Sequence, residues 1–256
     1  MNEKILLDAV LLAGKLMLVS GAEIYRVEDT MKYMLKKSGY ETSETIVLAT
    51  GIFMTVNHPG MQPVTMVKRV PDRSTDMNKI SMVNDVSRKY CSGAITIEQA
   101  YEELKQIEHA VIYKPWVKFI GIIGVSVFFT PIFNGTSLDF CASAVIGTIL
   151  ALTTMLVKKI RLNDFCINAL FAFVVAFSSM ALQRFFLPDA NVDVLIISSI
   201  MTLVPGVVFT NAIRDTLNGD YMAGTARMLE AAVVALAVAA GVAFGIILFG
   251  SIWGGI

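Results

Sequence analysis

Charged and amide side chains follow an interrupted apolar run near the C-terminal end of the sequence. The run contains Pro205 and Gly206, and Asn211, Arg214 and Asp215 follow it within about one helical turn. Charges are costly in hydrocarbon, and those found there usually pair with one another or line a pathway. A broken helix is tolerated in lipid only where it faces protein or a water-filled cavity. Together these features indicate a translocation site.

More polar residues follow, and together with the interrupted helix they could bind an anion. They are Asn218, Asp220, Arg227 and Glu230. If a half-helix starts at Gly206, its free N–H groups and its dipole attract an anion such as a carboxylate. Discontinuous helices aimed at a substrate carboxylate are a known solution in transporters. The predicted counter-charges for such an anion are Arg214 and Arg227. The predicted partners or proton carriers are Asp215, Asp220 and Glu230, and the neutral hydrogen-bonding groups are Thr210 and Asn211.

The same residues have a simpler interpretation. Pro205 and Gly206 would only kink a helix, and the charges would mark its cytoplasmic end. Arg214–Asp215 and Arg227–Glu230 would then be surface pairs that stabilise little. Asp220 lies in Asn218-Gly219-Asp220, which is also ordinary turn chemistry.

The composition points to a membrane protein. The 256 residues are 55% hydrophobic, with a mean hydropathy of +0.65, which is too apolar for an ordinary soluble domain. The net charge of zero gives no reason to expect nucleic acid as a partner. The three cysteines form no C-x-x-C pair, and the two histidines are far apart, so no metal site or cofactor is predicted. No nucleophile, phosphate-binding or metal motif indicates an enzyme.

The distribution of charge divides the chain near Pro115 into a domain of residues 1–113 and a transmembrane domain of residues 114–256. Five segments of the second part are long enough to cross a membrane as α-helices. They are 117–133, 138–157, 165–182, 194–210 and 226–253. Glycines at a spacing that allows close helix approach occur in the first span, as Gly121 and Gly124, and in the last, as Gly241 and Gly245.

Basic residues in the short loops predict the orientation. Seven basic residues fall on the side of the membrane that holds residues 1–113: Lys114, Lys118, Lys158, Lys159, Arg161, Arg214 and Arg227. The opposite loops contain only Arg184. The beginning of the chain also lacks the pattern of a signal peptide. We therefore expect a multi-pass protein of the cell (inner) membrane, with a cytoplasmic N-terminus and an external C-terminus.

Residues 1–113 predict a cytoplasmic α/β domain. Apolar residues at helical spacing predict a first helix, and Ser20-Gly21-Ala22-Glu23 fits a capping box that opens a second helix, which Gly39 ends. Two strands are predicted at 45–57 and 62–70, with a turn at 58–61. A second capping box, from Thr96 to Gln99, opens the last helix.

Four charged residues cluster on the predicted second helix, and they are Glu23, Arg26, Glu28 and Asp29. They are interpreted either as a solvated face with helical ion pairs or as an interface or substrate vestibule beneath the membrane domain.

Two motifs resemble the signature of the threonine/serine exporter (ThrE-like) family. The longer comprises Pro205-Gly206, Thr210 to Asp215, Gly219-Asp220, Gly224, Arg227 and Glu230-Ala231, and the shorter runs from Gly21 to Thr30. The resemblance implies an inner-membrane exporter with a cytoplasmic N-terminal domain. Some members are single long chains, and others are split into a larger, YjjP-type subunit like this chain and a short, all-membrane, YjjB-like subunit. The resemblance therefore implies a second membrane subunit, or self-assembly, for transport.

Three functions remain open at this point. The first is export of threonine or serine, and the second is export of a dicarboxylate such as succinate, with which split members are associated. Both need an energy source, and without a nucleotide-binding motif the proton gradient is expected to supply it. The third is a membrane subunit that transports nothing itself and whose cytoplasmic domain senses metabolites or docks a partner.

Overall fold

The computed structural model describes residues 3–40, 42–57, 62–71, 73–111, 113–157 and 163–254. In chain order these form α1 (Glu3–Val19), α2 (Ile24–Lys37), β1 (Thr42–Leu48), β2 (Gly51–Asn57), β3 (Val64–Arg69), α3 (Met77–Ser92), α4 (Ile97–His109), α5 (Pro115–Phe129), a short 3-10 helix (Pro131–Phe133), α6 (Ser137–Val157), α7 (Asp164–Phe185), α8 (Val192–Ile200), α9 (Gly206–Leu217) and α10 (Tyr221–Trp253). The predicted turn at 58–61 and the basic residues Lys158, Lys159 and Arg161 lie outside the described residues.

The chain separates into two compact units. Unit 1 comprises Met1–Ile112 and Val207–Leu229, and unit 2 comprises Tyr113–Gly206 and Glu230–Ile256. Unit 1 thus contains most of α9 and the first turns of α10 as well as the N-terminal elements. The division into a cytoplasmic domain of 1–113 and a transmembrane domain of 114–256 concerns the membrane, and it stays a prediction.

Unit 1 is built around one hydrophobic core. The inner face of an antiparallel sheet, ordered β1-β2-β3, contributes Ile52 and Met54, which are fully buried against α1 and α2. Two of the three cap predictions are confirmed. Gly39 follows α2 with φ of +88°, a left-handed conformation that favours glycine, and Thr96 and Gln99 form the predicted capping box of α4.

Two predictions in unit 1 are wrong. The segment 45–57 is not one strand but part of a hairpin, because Leu48 pairs with Gly51 and the chain turns at Ala49 and Thr50. Neither turn residue is a usual turn former, so the apolar pattern gave no signal of the reversal. The capping box at Ser20 is also absent: the N-cap of α2 is Glu23, whose side chain makes no capping hydrogen bond.

Unit 2 is helical in its described residues. The short helix α8 packs against α5, α6 and α7. Helix α10 packs against α7, where Gly241 and Gly245 approach the α7 backbone and Phe177, Phe249 and Trp253 form a cluster of aromatic rings. The predicted packing face at Gly241 and Gly245 is confirmed. At Gly121 and Gly124 an added Cβ atom would meet nothing within 4 Å, so these two glycines form no such contact.

Four helical segments are long and apolar enough to cross a membrane within the described residues: Pro115–Phe133, Ser137–Val157, Asp164–Phe185 and Tyr221–Trp253. They correspond to the first, second, third and fifth predicted spans. The predicted fourth span, 194–210, consists of α8 and the start of α9, separated at residues 201–205. The interruption is observed, whereas the crossing of this segment, and with it the count of five, stays a prediction.

Replacing Gly241 by alanine should destabilise unit 2. A Cβ atom there would lie 2.1 Å from the carbonyl oxygen of Ala169, so the α7 backbone must shift. Overpacking of this kind costs about 1–3 kcal/mol. Thermal unfolding of the purified protein measures the loss, with Gly121→Ala as the matched control, because no atom lies within 4 Å of that position. Equal unfolding temperatures for the two variants would contradict the packing described here.

Candidate functional site

Side chains of α9 and α10 hold the turn between α1 and α2. Asn211 Nδ2 donates a hydrogen bond to the carbonyl of Gly21 at 2.7 Å, and Arg227 Nη2 donates to the carbonyl of Ala22 at 2.7 Å. Asp215 Oδ1 accepts from the N–H of Ile24 at 3.0 Å. Since Ile24 is the first residue of α2, Asp215 satisfies one of its unpaired N–H groups from about 190 residues away in sequence.

Arg227 and Asp215 form a buried ion pair in the same place. Arg227 Nη1 lies 2.8 Å from Asp215 Oδ2, and the two side chains are 3% and 0% exposed. Asp215 lies outside the four candidate spans. Burial raises the pKa of Asp215, while the Ile24 N–H and Arg227 oppose that rise. A buried pair with these further hydrogen bonds is costly to break from one side, because the remaining charge has no water to solvate it.

Glu23 forms ion pairs with two more exposed arginines, Arg214 and Arg26. Its Oε1 lies 2.6 Å from Arg214 Nη1, and its Oε2 lies 3.1 Å from Arg26 Nε. The Glu23 side chain is 8% exposed, whereas Arg214 and Arg26 are about half exposed. Burial favours the neutral acid, but a backbone hydrogen bond and the two arginines outweigh it and hold the pKa of Glu23 below its usual value. We call Glu23, Asn211, Arg214, Asp215 and Arg227 the charge clamp.

The alternative interpretation, in which Arg214 and Asp215 form a surface pair with each other, is not what the structure shows, whereas a pair between Arg227 and Glu230 stays a prediction. Arg214 binds Glu23, and Arg227 binds Asp215 in a fully buried position. Both arginines therefore have a carboxylate partner from within unit 1 already. This means that an anionic substrate would have to compete with Glu23 or Asp215 for them.

Other predicted residues lie at the margin of the clamp or away from it. Asp220 is half-buried, its N–H donates to the Asp215 carbonyl at 2.9 Å, and burial raises its pKa against the effect of Arg227. Glu28 Oε1 accepts from the N–H of Val47, which attaches β1 to α2. Asp29 is exposed on α2, Thr210 is exposed on α9, and Glu230 is half-buried where α10 enters unit 2.

The break between α8 and α9 lies in unit 2. Helix α8 ends at Ile200, the N–H of Leu203 donates to the Ile200 carbonyl at 2.8 Å, and α9 begins at Gly206, directly after Pro205. Gly206 is exposed, and a Cβ atom there would meet nothing within 4 Å. A cavity of about 490 Å³ adjoins the break, between Ile200, Val204 and Pro205 on one side and α10 on the other. All its lining residues are apolar.

Polar contacts inside unit 2 were not anticipated from the sequence. Thr130, Ser143 and Ser198 come from the end of α5, from α6 and from α8, and their buried hydroxyls are in contact, at 2.7 Å and 3.3 Å. Asp139 is 1% exposed and accepts from the N–H of Asn191, the N-cap of α8, at 2.7 Å. A lone acid at the start of an apolar segment was the available signal for Asp139. The hydroxyls of α5, α6 and α8 had none, because serine and threonine are common in such helices.

A sequence model of the family described as "Putative threonine/serine exporter" matches residues 8–249. The chain belongs to this family. The match spans both units, and the charge clamp joins the two motifs that carry the resemblance, 21–30 and 205–231. Among the described residues, no group of three or more His, Cys, Asp or Glu side chains is placed to hold a metal ion.

The chain is similar to a longer curated protein. The "Probable threonine/serine exporter" of Mycobacterium tuberculosis (strain ATCC 25618 / H37Rv) is 21% identical over 246 residues. The alignment covers 94% of this chain but only 45% of that relative, so the chain spans less than half of the relative's length. No solved structure matches the chain.

Proposed function

We propose that this protein exports small carboxylate-bearing metabolites, threonine and serine first among them, across the cell membrane. Membership of the exporter family supports a transport role. The observation that carries the proposal is the interruption of the helix at residues 201–205, in the segment between α7 and α10 that could complete a fifth span. Irregular backbone within a membrane is tolerated where it lines a cavity or is buried in protein.

The proposed binding group is the N-terminus of α9. The first N–H groups of a helix have no partner within it and, with the helix dipole, favour an anion. The N–H of Gly206 itself already donates to the Val204 carbonyl at 2.8 Å, so the proposed donors are the N–H groups that follow it. Gly206 leaves the backbone open to close approach, because a Cβ atom there would meet open space. Threonine, serine and succinate all carry a carboxylate that could dock there.

The cavity beside the break supports the need for a second subunit. Its lining is apolar throughout, so the ammonium or hydroxyl groups of an amino acid would find no side-chain partner there. The relative is more than twice as long as the part aligned here. We therefore propose that a short, YjjB-like membrane subunit, or a second copy of this chain, supplies the missing polar groups.

Proton coupling is proposed for the energy source. Asp220 is the better candidate for the titrating acid, because it is half-buried with a raised pKa and its hydrogen bond to Asp215 is made by its backbone N–H. Asp215 also has a raised pKa, but it is held by Arg227 and by Ile24. A proton on Asp215 would weaken that ion pair, while Asn211 and Arg227 would still donate to the carbonyls of the α1–α2 turn.

Efflux from proteoliposomes tests the function. Vesicles holding labelled threonine, serine or succinate, with the chain alone or together with the short subunit, should release one of them when a proton gradient is imposed. We expect threonine or serine to leave, and only when both subunits are present. Release of succinate alone would favour the dicarboxylate alternative, and release of none would favour the non-transporting role.

A further inference from the structure

A positively charged cleft lies between α2 and α3 in unit 1. Its volume is about 370 Å³, and Arg26 from α2 and Arg88 from α3 both line it. Ser81 and Asn84 offer a hydroxyl and an amide on the same face of α3, and Met77 and Ile80 form its apolar part. No residue of the charge clamp or of the helix break lines this cleft.

The two arginines have unused hydrogen-bonding capacity. Arg88 is exposed, and within the described part of the chain it has neither an ion pair nor a hydrogen bond. The contacts of Arg26 to the Tyr25 hydroxyl and to Glu23 are made by its Nε. Asp85 also lines the cleft, but Lys89 lies 2.8 Å from its carboxylate and offsets its charge.

Two larger cavities in the same unit are less suited to an anion. The cavity of about 850 Å³ between α3 and α4 contains Lys89, which is engaged by Asp85 at 2.8 Å and by Glu103 at 3.7 Å. The cavity of about 420 Å³ beside α1 contains lysines but also Asp8 and Glu108, and Lys15 binds Glu108 at 2.6 Å. Neither offers a guanidinium, whose planar fork matches a carboxylate with two parallel hydrogen bonds.

We propose that the Arg26–Arg88 cleft binds a small dicarboxylate and thereby regulates the exporter. Each guanidinium takes one carboxylate, Ser81 and Asn84 add neutral hydrogen bonds, and Met77 and Ile80 contact the methylene groups. A carboxylate bound to the Nη groups of Arg26 places a negative charge near Glu23 and weakens the attraction between Glu23 and Arg26, which are in contact through Nε. Occupancy of the cleft is thus sensed by the charge clamp. The regulatory part rests on the proposed function, whereas binding itself does not.

Isothermal titration of the purified full-length chain in detergent, with succinate as the probe, tests the binding. We expect saturable binding of one succinate, weakened about tenfold or more by Arg88→Gln and by Arg26→Gln, since each removes charge-assisted hydrogen bonds. Lys68→Gln is the matched control, because it removes one positive charge from the cavity beside α1 and should leave the affinity unchanged. Acetate should bind more weakly than succinate.

Three results would overturn the inference: no saturable binding of succinate, the wild-type affinity in Arg88→Gln, or tighter binding of inorganic phosphate than of succinate. Succinate is also a candidate for export, so the titration is repeated on Pro205→Ala, which alters the proposed transport site. Binding lost in that variant and intact in Arg88→Gln would assign the succinate to the transport route instead. Binding of succinate in the cleft without efflux of any of the three metabolites would contradict the proposed function but not the proposed binding site.

Discussion

Arg227→Ala should lower the free energy of unfolding of unit 1 by about 3–5 kcal/mol, the usual effect of removing one partner from a buried ion pair. In the parent, Arg227 Nη1 lies 2.8 Å from the fully buried Asp215 carboxylate, and the variant removes this counter-charge. It also leaves the Ala22 carbonyl without its hydrogen-bond donor. Asp215→Ala should do comparable damage, because it also removes the acceptor of the Ile24 N–H at the start of α2.

Thermal unfolding and limited proteolysis of the purified variants measure this loss. Arg214→Ala is the matched control: its side chain is 53% exposed, and Glu23 retains Arg26, so we expect at most about 1 kcal/mol. The double variant Asp215→Leu with Arg227→Met should recover much of the stability, because apolar replacements of a buried pair leave no unpaired charge. Parent-like unfolding of Arg227→Ala would show that the pair is not buried as described.

The sequence was sufficient for features that depend on neighbours along the chain. Helical apolar spacing located α1, Gly39 located the end of α2, and the box from Thr96 to Gln99 located the start of α4. Long apolar segments likewise located four candidate spans, and Pro205 located the interruption. Each of these depends on contacts within about one or two helical turns, which residue spacing expresses directly.

The partners of the charged residues could not be obtained in this way. Spacing allowed Arg214 to pair with Asp215 as one alternative, and it predicted a capping box formed by Ser20 and Glu23 at the start of α2, because those residues are close in sequence. In the structure Glu23 binds Arg214, 191 residues away, and Asp215 receives the Ile24 N–H instead. Burial decided the outcome: Asp215 is 0% exposed, so its partners are those that the tertiary fold brings to it.

The hairpin at Ala49 and Thr50 was not predicted for a related reason. Leu48 pairs directly with Gly51 across the turn, and apolar residues occur on both sides of it. With no asparagine or proline at the turn itself, the sequence gives no clear sign that one strand ends and another begins. Only the pairing of β2 with both neighbours reveals three strands.

Pro205→Ala should reduce the affinity for the exported carboxylate by about tenfold to a hundredfold, the effect of losing one hydrogen bond to a charged group. Proline cannot donate a backbone hydrogen bond, and it keeps the preceding Val204 out of helical conformation, so it defines where α9 begins. With alanine, α9 can extend towards Val204, and the N–H group of Val207 would turn to a carbonyl within the helix. Folding should not suffer, since alanine favours a helix and restores a missing donor.

Substrate affinity and thermal stability, measured on the same purified sample of Pro205→Ala, test the central claim that the carboxylate binds at the break. The ligand is whichever of threonine, serine and succinate the efflux assay identifies, and Pro131→Ala, at the start of the short 3-10 helix, makes the same chemical change elsewhere in unit 2. We expect weakened binding in Pro205→Ala only, with unfolding temperatures for both variants like that of the parent. Parent-like affinity in a well-folded Pro205→Ala protein would contradict it.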